Sequence, residues 1–273
     1  MRAWLNGELV DADEASVSIF DHGLTVGDGV FETTKVVDGQ AFALRRHLAR
    51  LTRSAVGLGL DAPDESELRK AVDEVLAANV GEDVGRLRIT MTGGVGPLGS
   101  DRVTSPPTVI VACSPAKAWP PATLLVTVPW PRNERSAVSG IKTTSYAENV
   151  VALAYAHDHG ASEALFLNTR GEVCEGTGSN VFAVLDGVLL TPPLDSGCLA
   201  GVTRELVIEW CGALERPITW ADMERSDEVF VSSSTRDVHP VRELDGRVLP
   251  APGPVTERAM AEFARRSAED LDP

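Results

Sequence analysis

The chain has 273 residues, a net charge of −15 and 43% apolar residues, but only 5% aromatics. That length accommodates one large domain or two ordinary ones around an aliphatic core. The acidic balance excludes nucleic acid and anionic membrane surfaces as expected partners, and no stretch reaches the roughly 20 apolar residues that span a bilayer.

Trp4-Leu5 and Leu9-Val10 flank Asn6-Gly7, a hairpin signal. Because a strand and turn open the chain directly, a signal peptide is not expected. A glycine-rich loop, Asp21 to Gly29, leads into a strand over Val30 to Val37 that turns at Asp38-Gly39 and returns through Ala41 to Leu44. The spacing predicts a helix over about 45–56, with Leu48, Leu51, Ala55 and Val56 on its inner face. Arg46, Arg50 and Arg53 fall on another face, as a solvated stripe would. A second helix covers 65–79, and Arg86 to Thr92 reads as a strand.

Gly94-Val95-Gly96-Pro97-Leu98-Gly99 has the spacing G-x-G-x-x-G. Dinucleotide binding needs a helix opening on that loop, so that its N-terminus meets the pyrophosphate. Pro97 interrupts the run and a further strand follows at Thr108, so the match is read as a turn. Pro-rich residues 117–122 mark a linker between a small domain, 1–116, and a larger one, 123–273. Hairpins at Asp186-Gly187 and Asp245-Gly246 and a closing helix over about 254–268 complete a strand-rich α+β chain. Four scattered cysteines (Cys113, Cys174, Cys198, Cys211) form no metal-ligand spacing; no metal is expected, and reduced thiols in a cytoplasmic protein are.

Lys142 is conspicuous because the chain has only four lysines against twenty-one arginines, and none follows it. Where positive charge suffices the chain uses Arg, so a lone Lys suggests an amine wanted for reactivity. A surface lysine at a helix start is the alternative. Ser145 and Glu148 have the spacing of a capping box, with Val150 to Ala156 continuing as a mostly buried helix. Glu175 sits in what reads as a small-residue turn between apolar strands. Gly201-Val202-Thr203 and Ser232 to Thr235 are turns of the kind that cradle phosphate with N–H and O–H donors. An amine, a carboxylate and phosphate-type turns are together what pyridoxal phosphate requires.

Several blocks then resemble, in order, the class IV aminotransferases, the fold-type IV pyridoxal-phosphate enzymes. They are Gly27 to Glu32, His47 to Leu51, Gly140-Ile141-Lys142, Glu175 to Phe182, Gly201 to Arg204, and Ser232 to Thr235 with Pro240-Val241. The resemblance implies a small N-terminal α/β domain, a larger barrel-like C-terminal domain and a homodimer acting on a small amino substrate. It implies Lys142 as the amine that takes pyridoxal 5'-phosphate and shuttles the proton, and Glu175 as partner of the pyridine nitrogen; Tyr146 is carried as a cofactor contact, with simple packing as the alternative. Arg50, the Val202 backbone, Thr203, Ser234 and Thr235 would hold the phosphate. Phe31, Thr33, Arg88 and Thr92 are carried as substrate-pocket residues. D-amino-acid transaminases usually have Tyr at Phe31 and Arg at Thr92; branched-chain transaminases usually have Gly at Thr33 and a Tyr-x-Arg where Gly85-Arg86-Leu87 stands. Phe31-x-Thr33 and the Lys142 to Asn149 stretch resemble aminodeoxychorismate lyases, so the leading expectation is release of pyruvate from 4-amino-4-deoxychorismate, in the folate pathway. Branched-chain or D-amino-acid transamination is the alternative, and a non-catalytic binding protein a remote third.

Overall fold

The computed structural model describes all 273 residues. The chain forms two compact units: Met1–Lys117 with Ile141–Tyr146 and Leu271–Pro273, and Ala118–Gly140 with Ala147–Asp270. The expected division, with everything beyond 123 in one domain, is corrected here. Ile141–Tyr146 belongs to the first unit because its backbone is bound there: Phe31 N–H donates to Lys142 O, Thr144 N–H donates to Gly29 O, and Val30 bridges Thr143.

The first unit contains β1 (Arg2–Leu5), β2 (Glu8–Asp11), α1 (His22–Thr25), β3 (Gly29–Val37), β4 (Gln40–Ala41), α2 (Leu44–Leu58), α3 (Glu65–Ala78), β5 (Arg86–Thr92) and β6 (Val109–Ser114). The strands form one antiparallel sheet in the order β2-β1-β6-β5-β3-β4. Its hairpins turn at Asn6-Gly7 and Asp38-Gly39, where both residues of each pair have positive φ, as two-residue hairpin turns demand. Leu48, Leu51 and Ala55 of α2 and Leu68, Val72 and Val75 of α3 pack on Val30, Leu87, Ile89 and Val111 of the sheet. Val56, expected inward, is 58% exposed, and its neighbour Ala55 takes the buried place on that turn. No helix follows Gly94–Gly99, so that loop is the turn it was expected to be.

Helix α2 has no side-chain cap of its own; Ala43 enters it with φ of 52°. The chain's last residues supply one instead: Leu271 O accepts from Ala43 N and Asp272 Oδ1 from Arg45 N. This satisfies donors that a helix start otherwise leaves open, and sets a carboxylate where the helix dipole favours it.

The second unit contains β7 (Thr123–Thr127), α4 (Ala147–Asp158), β8 (Glu163–Leu167), β9 (Val173–Gly176), β10 (Asn180–Leu185), β11 (Val188–Thr191), α5 (Val202–Cys211), β12 (Leu214–Glu215), α6 (Trp220–Glu224), β13 (Glu228–Ser233), β14 (Asp237–Leu244), β15 (Arg247–Val248) and α7 (Pro254–Glu269). Nine strands make a mixed sheet, β12-β11-β10-β13-β14-β7-β8-β9, with β15 beside β14. The fold is thus mixed α+β, as expected. β10 and β13 are buried along nearly their whole length and read as continuous apolar runs for that reason. Phe182 and Phe230 stand opposite each other across them, stacked at 4.6 Å. No helix is long and apolar enough to cross a membrane.

Two expectations around α4 fail. The helix starts at Ala147, Ser145 Oγ donates to Gly27 O, and Glu148 pairs with Arg132 at 2.9 Å, so no capping box forms. Val150 and Val151 are 64% and 55% exposed; the buried residues of the helix are Asn149, Ala152 and Ala156, with Tyr155 packed partly buried beside them.

Replacing Phe230 by Ala empties a fully buried ring site and should lower stability by about 3–5 kcal/mol in urea unfolding. Val150→Ser, on the open face of α4, should change it by less than about 0.5 kcal/mol.

Candidate active site

Strand β3 alternates between two environments. Phe31 and Thr33 share one side, opposite Thr90 and Arg88 of β5 in the antiparallel register. Lys142 and Tyr146 join them. Lys142 Nζ donates to Tyr146 Oη at 3.2 Å and lies 4.4 Å from the centre of the Phe31 ring; Tyr146 meets that ring edge-on at 5.1 Å. Lys142 N–H also donates to Ser54 Oγ of α2 at 3.3 Å, fixing the lysine's backbone to the helix. The amine has no carboxylate partner, so Lys142 is not a surface ion-pair lysine.

Arg88 lies flat over the same Phe31 ring at 3.7 Å and donates from Nε to Thr90 Oγ1. It too has no carboxylate partner. Arg86, the arginine weighed against the branched-chain pattern, pairs across from Lys35 nearer the start of β5; the arginine beside Phe31 is Arg88. Thr92 departs from its expected role. Its hydroxyl donates to buried Asp21 Oδ2 at 3.0 Å and Gly23 covers it, so it offers a substrate nothing.

The other side of β3 carries Glu32, buried against α2. His47 Nδ1 lies 2.7 Å from Oε2, and Arg50 donates through Nε to Oε1 at 2.7 Å and Nη2 to Oε2 at 2.6 Å. An ionised carboxylate only accepts, so the His47 proton sits on Nδ1. Burial alone would raise the Glu32 pKa, but the charge and hydrogen bonds of Arg50, with His47, hold it down at about 2. Burial lowers the His47 pKa. Arg50 is therefore buried and not part of a solvated stripe. Glu32 and His47 carried no expectation of their own from sequence. The available signal was a carboxylate at an inward strand position facing a helix with His and Arg at i and i+3.

In the second unit Glu175 lies on β9, opposite Phe166, not in a turn. Its Oε2 accepts from Leu199 N–H at 2.9 Å, on the segment leading into α5. Asn180 Nδ2 donates to Leu199 O at 2.8 Å and holds that segment from β10. Gly201 is the N-cap of α5 and brings no side-chain cap, which leaves the first-turn N–H groups of Val202 and Thr203 to other acceptors. A Cβ at Gly201 would meet Asn180 Oδ1 and displace that amide, so glycine lets the two approach closely. Ser234 and Thr235 form the turn between β13 and β14, and the hydroxyl of Ser232 just before it is buried with no partner. Below it, buried Glu163 accepts from Thr177 N–H and hydroxyl, Ser179 Oγ and Arg236 Nη2, fixing the 177–179 turn that follows Glu175.

A family model described as amino-transferase class IV matches residues 29–244, most of the chain. The chain belongs to the class IV aminotransferases. It is 37% identical over 278 residues to a putative branched-chain-amino-acid aminotransferase of Methanocaldococcus jannaschii, covering 96% of this chain and 95% of the relative. It is 31% identical to a D-alanine aminotransferase of Bacillus licheniformis, covering 94% of each. The crystal structure of a branched-chain aminotransferase from Thermoproteus uzoniensis with norvaline superposes with a TM-score of 0.90 at 35% identity, covering 97% of this chain and 94% of that one.

Class IV aminotransferases are enzymes that use pyridoxal phosphate, and the groups described fit it. The first unit offers an amine beside a phenol and no competing carboxylate. The second offers a carboxylate held by a backbone N–H, and a helix start without a side-chain cap at a glycine packed close to Asn180. An uncapped start with close backbone approach suits a phosphate dianion.

Glu32 gives the fold a pH dependence of definite sign. A carboxylate depressed from 4.5 to about 2 contributes stability that is present above 4.5 and lost as pH falls toward 2. In urea unfolding, the advantage of wild type over Glu32→Gln should shrink by about 2 kcal/mol between pH 6 and pH 3.

Proposed function

We propose that the chain transfers amino groups from aliphatic, branched-chain-type L-amino acids to 2-oxoglutarate. The observation that carries this is Arg88: a guanidinium without a carboxylate partner, laid over Phe31 beside the Lys142 amine. A fork of that kind recognises a carboxylate bidentately, which gives a dicarboxylate acceptor a second anchor that pyruvate lacks. The apolar ring of Phe31 suits an aliphatic side chain, and the names of the archaeal relatives support the same donor class. The lyase expectation has weaker support, since the relatives reported above are transaminases. D-amino-acid transamination fits less well, because Phe31 has no hydroxyl and Thr92 is sealed against Asp21.

Lys142 would hold pyridoxal phosphate covalently and Glu175 would keep a proton on its ring nitrogen. Arg50, the Val202 N–H, Thr203, Ser234 and Thr235 would hold its phosphate. When bound, that cofactor supplies an electron sink for the charge left when the substrate loses its α-proton. Lys142 Nζ would be the base that takes that proton, holds it and hands it on within the same site. Tyr146 Oη accepts a hydrogen bond from that amine and so keeps it oriented between the two transfers. Phe31 excludes water from the same side. A homodimer is part of this proposal: Ile19, Leu24 and Leu98 of the first unit are 72%, 68% and 75% exposed, a surface suited to a second copy. So is a cytoplasmic location, consistent with four free cysteines.

Incubation of purified protein with L-leucine and 2-oxoglutarate should give glutamate, faster than with D-alanine or with pyruvate as acceptor. Pyruvate released from 4-amino-4-deoxychorismate with no acceptor present would instead favour the lyase. Arg88→Ala should raise KM for 2-oxoglutarate by about tenfold or more while leaving that for pyruvate within about twofold. Lys142→Ala should abolish both transfer and the visible absorption of the bound cofactor; a retained band would reject the lysine assignment.

A further inference from the structure

Glu32 touches neither Lys142 nor any face open to a substrate, yet three donors converge on it from α2. Its effect on a phosphate ligand of Arg50 could take either sign. As a charge, it cancels much of the guanidinium's attraction for an anion. As an anchor, it takes the Nε–Nη2 edge of the planar guanidinium with both carboxylate oxygens and so fixes the plane and direction of the opposite edge. His47 Nδ1 shares Oε2 and prevents the carboxylate from rotating. All three groups are buried, so turning the guanidinium away would leave the carboxylate without its charged partner, which is costly.

We propose that Glu32 is a positioning residue for the cofactor's phosphate, acting through Arg50, and that orientation outweighs the charge it cancels. The proposal rests on the reading that Arg50 holds that phosphate, so its test separates the two. Binding of pyridoxal phosphate and of pyridoxal, which lacks only the phosphate, is measured on apo-enzyme by absorbance and fluorescence. The preference for the phosphorylated form is the ratio of the two dissociation constants.

Arg50→Ala should lower that preference by about a hundredfold or more, as expected on losing a buried charge-assisted contact. If Arg50→Ala keeps the wild-type preference, Arg50 does not hold the phosphate and both statements fall. Glu32→Gln removes the negative charge and keeps one acceptor. Glu32→Asp keeps the charge and withdraws the anchor by one methylene. If orientation governs, both should lower the preference by about tenfold while pyridoxal alone binds within about twofold of wild type. If charge governs, Glu32→Gln should raise the preference, which overturns the proposal. A parallel weakening of both ligands would show Glu32 to be merely structural, and overturns it as well. Should Glu32→Gln fail to fold, Glu32→Asp decides alone.

Discussion

The first unit depends on a carboxylate placed where carboxylates are costly. Removing Glu32 from water is unfavourable by several kcal/mol, and only three well-aimed donors offset it. Such an arrangement is intolerant: taking away one partner leaves a buried charge and costs about 3–5 kcal/mol, whereas the intact set contributes little net stability. Its consequence is geometric. Glu32 locks the middle of β3 to the middle of α2, and other features take their positions from that junction. Ser54, one turn beyond Arg50, accepts from the Lys142 backbone, and Ile141 packs on Gly57 within contact distance of any added Cβ. Lys142 is thus held by the same helix that carries His47 and Arg50. At the helix's other end, Leu271 and Asp272 supply the missing cap, so residues far apart in sequence converge on one fifteen-residue element.

The two periodicities of the chain explain how one strand serves both purposes. Phe31 and Thr33 face the side of Lys142, while Val30, Glu32 and Thr34 face the interior, because side chains alternate along a strand. A substitution at either parity therefore acts on a different property. Phe31 and Arg88 govern what lies next to the amine, and Glu32 governs how firmly α2 is fixed. Neither needs to compromise for the other.

What was legible in the sequence was local. Asn6-Gly7, Asp38-Gly39, Asp186-Gly187 and Asp245-Gly246 form the turns their chemistry dictates, since few residues tolerate positive φ. Arg86–Thr92 forms the expected strand. Lys142 stood out by composition, and the structure sets its amine beside Tyr146. What failed was settled by distant partners. Ser145 and Glu148 fit a capping box by spacing, but Gly27 O and Arg132 compete for them. Glu175 looked like a turn residue because its neighbours are small; pairing with Phe166 makes it strand. Arg50 looked solvated on its helix until Glu32, eighteen residues upstream, was opposite it. A polar residue in the inward register of a strand is the sign that such a partner exists, and Glu32 displayed it.

The acidic surface and the anionic ligands of this family are compatible because charge is sorted locally. A net charge of −15 repels carboxylates and phosphates at long range, but salt screens that field beyond about 8 Å. Within that distance individual pairs decide. In the first unit Arg50 is bound to Glu32, Arg102 to Asp28 and Arg69 to Glu65, so their charges are largely spent on the fold. Arg88 instead contacts a hydroxyl and an aromatic face, neither of which neutralises it. A guanidinium left without a carboxylate keeps its donors for an anion that meets it with good geometry. The same sorting applies to the amines. Lys70 pairs with Glu74 on an open helix face, whereas Lys142 donates to a phenol and lies over an aromatic ring with no carboxylate beside it.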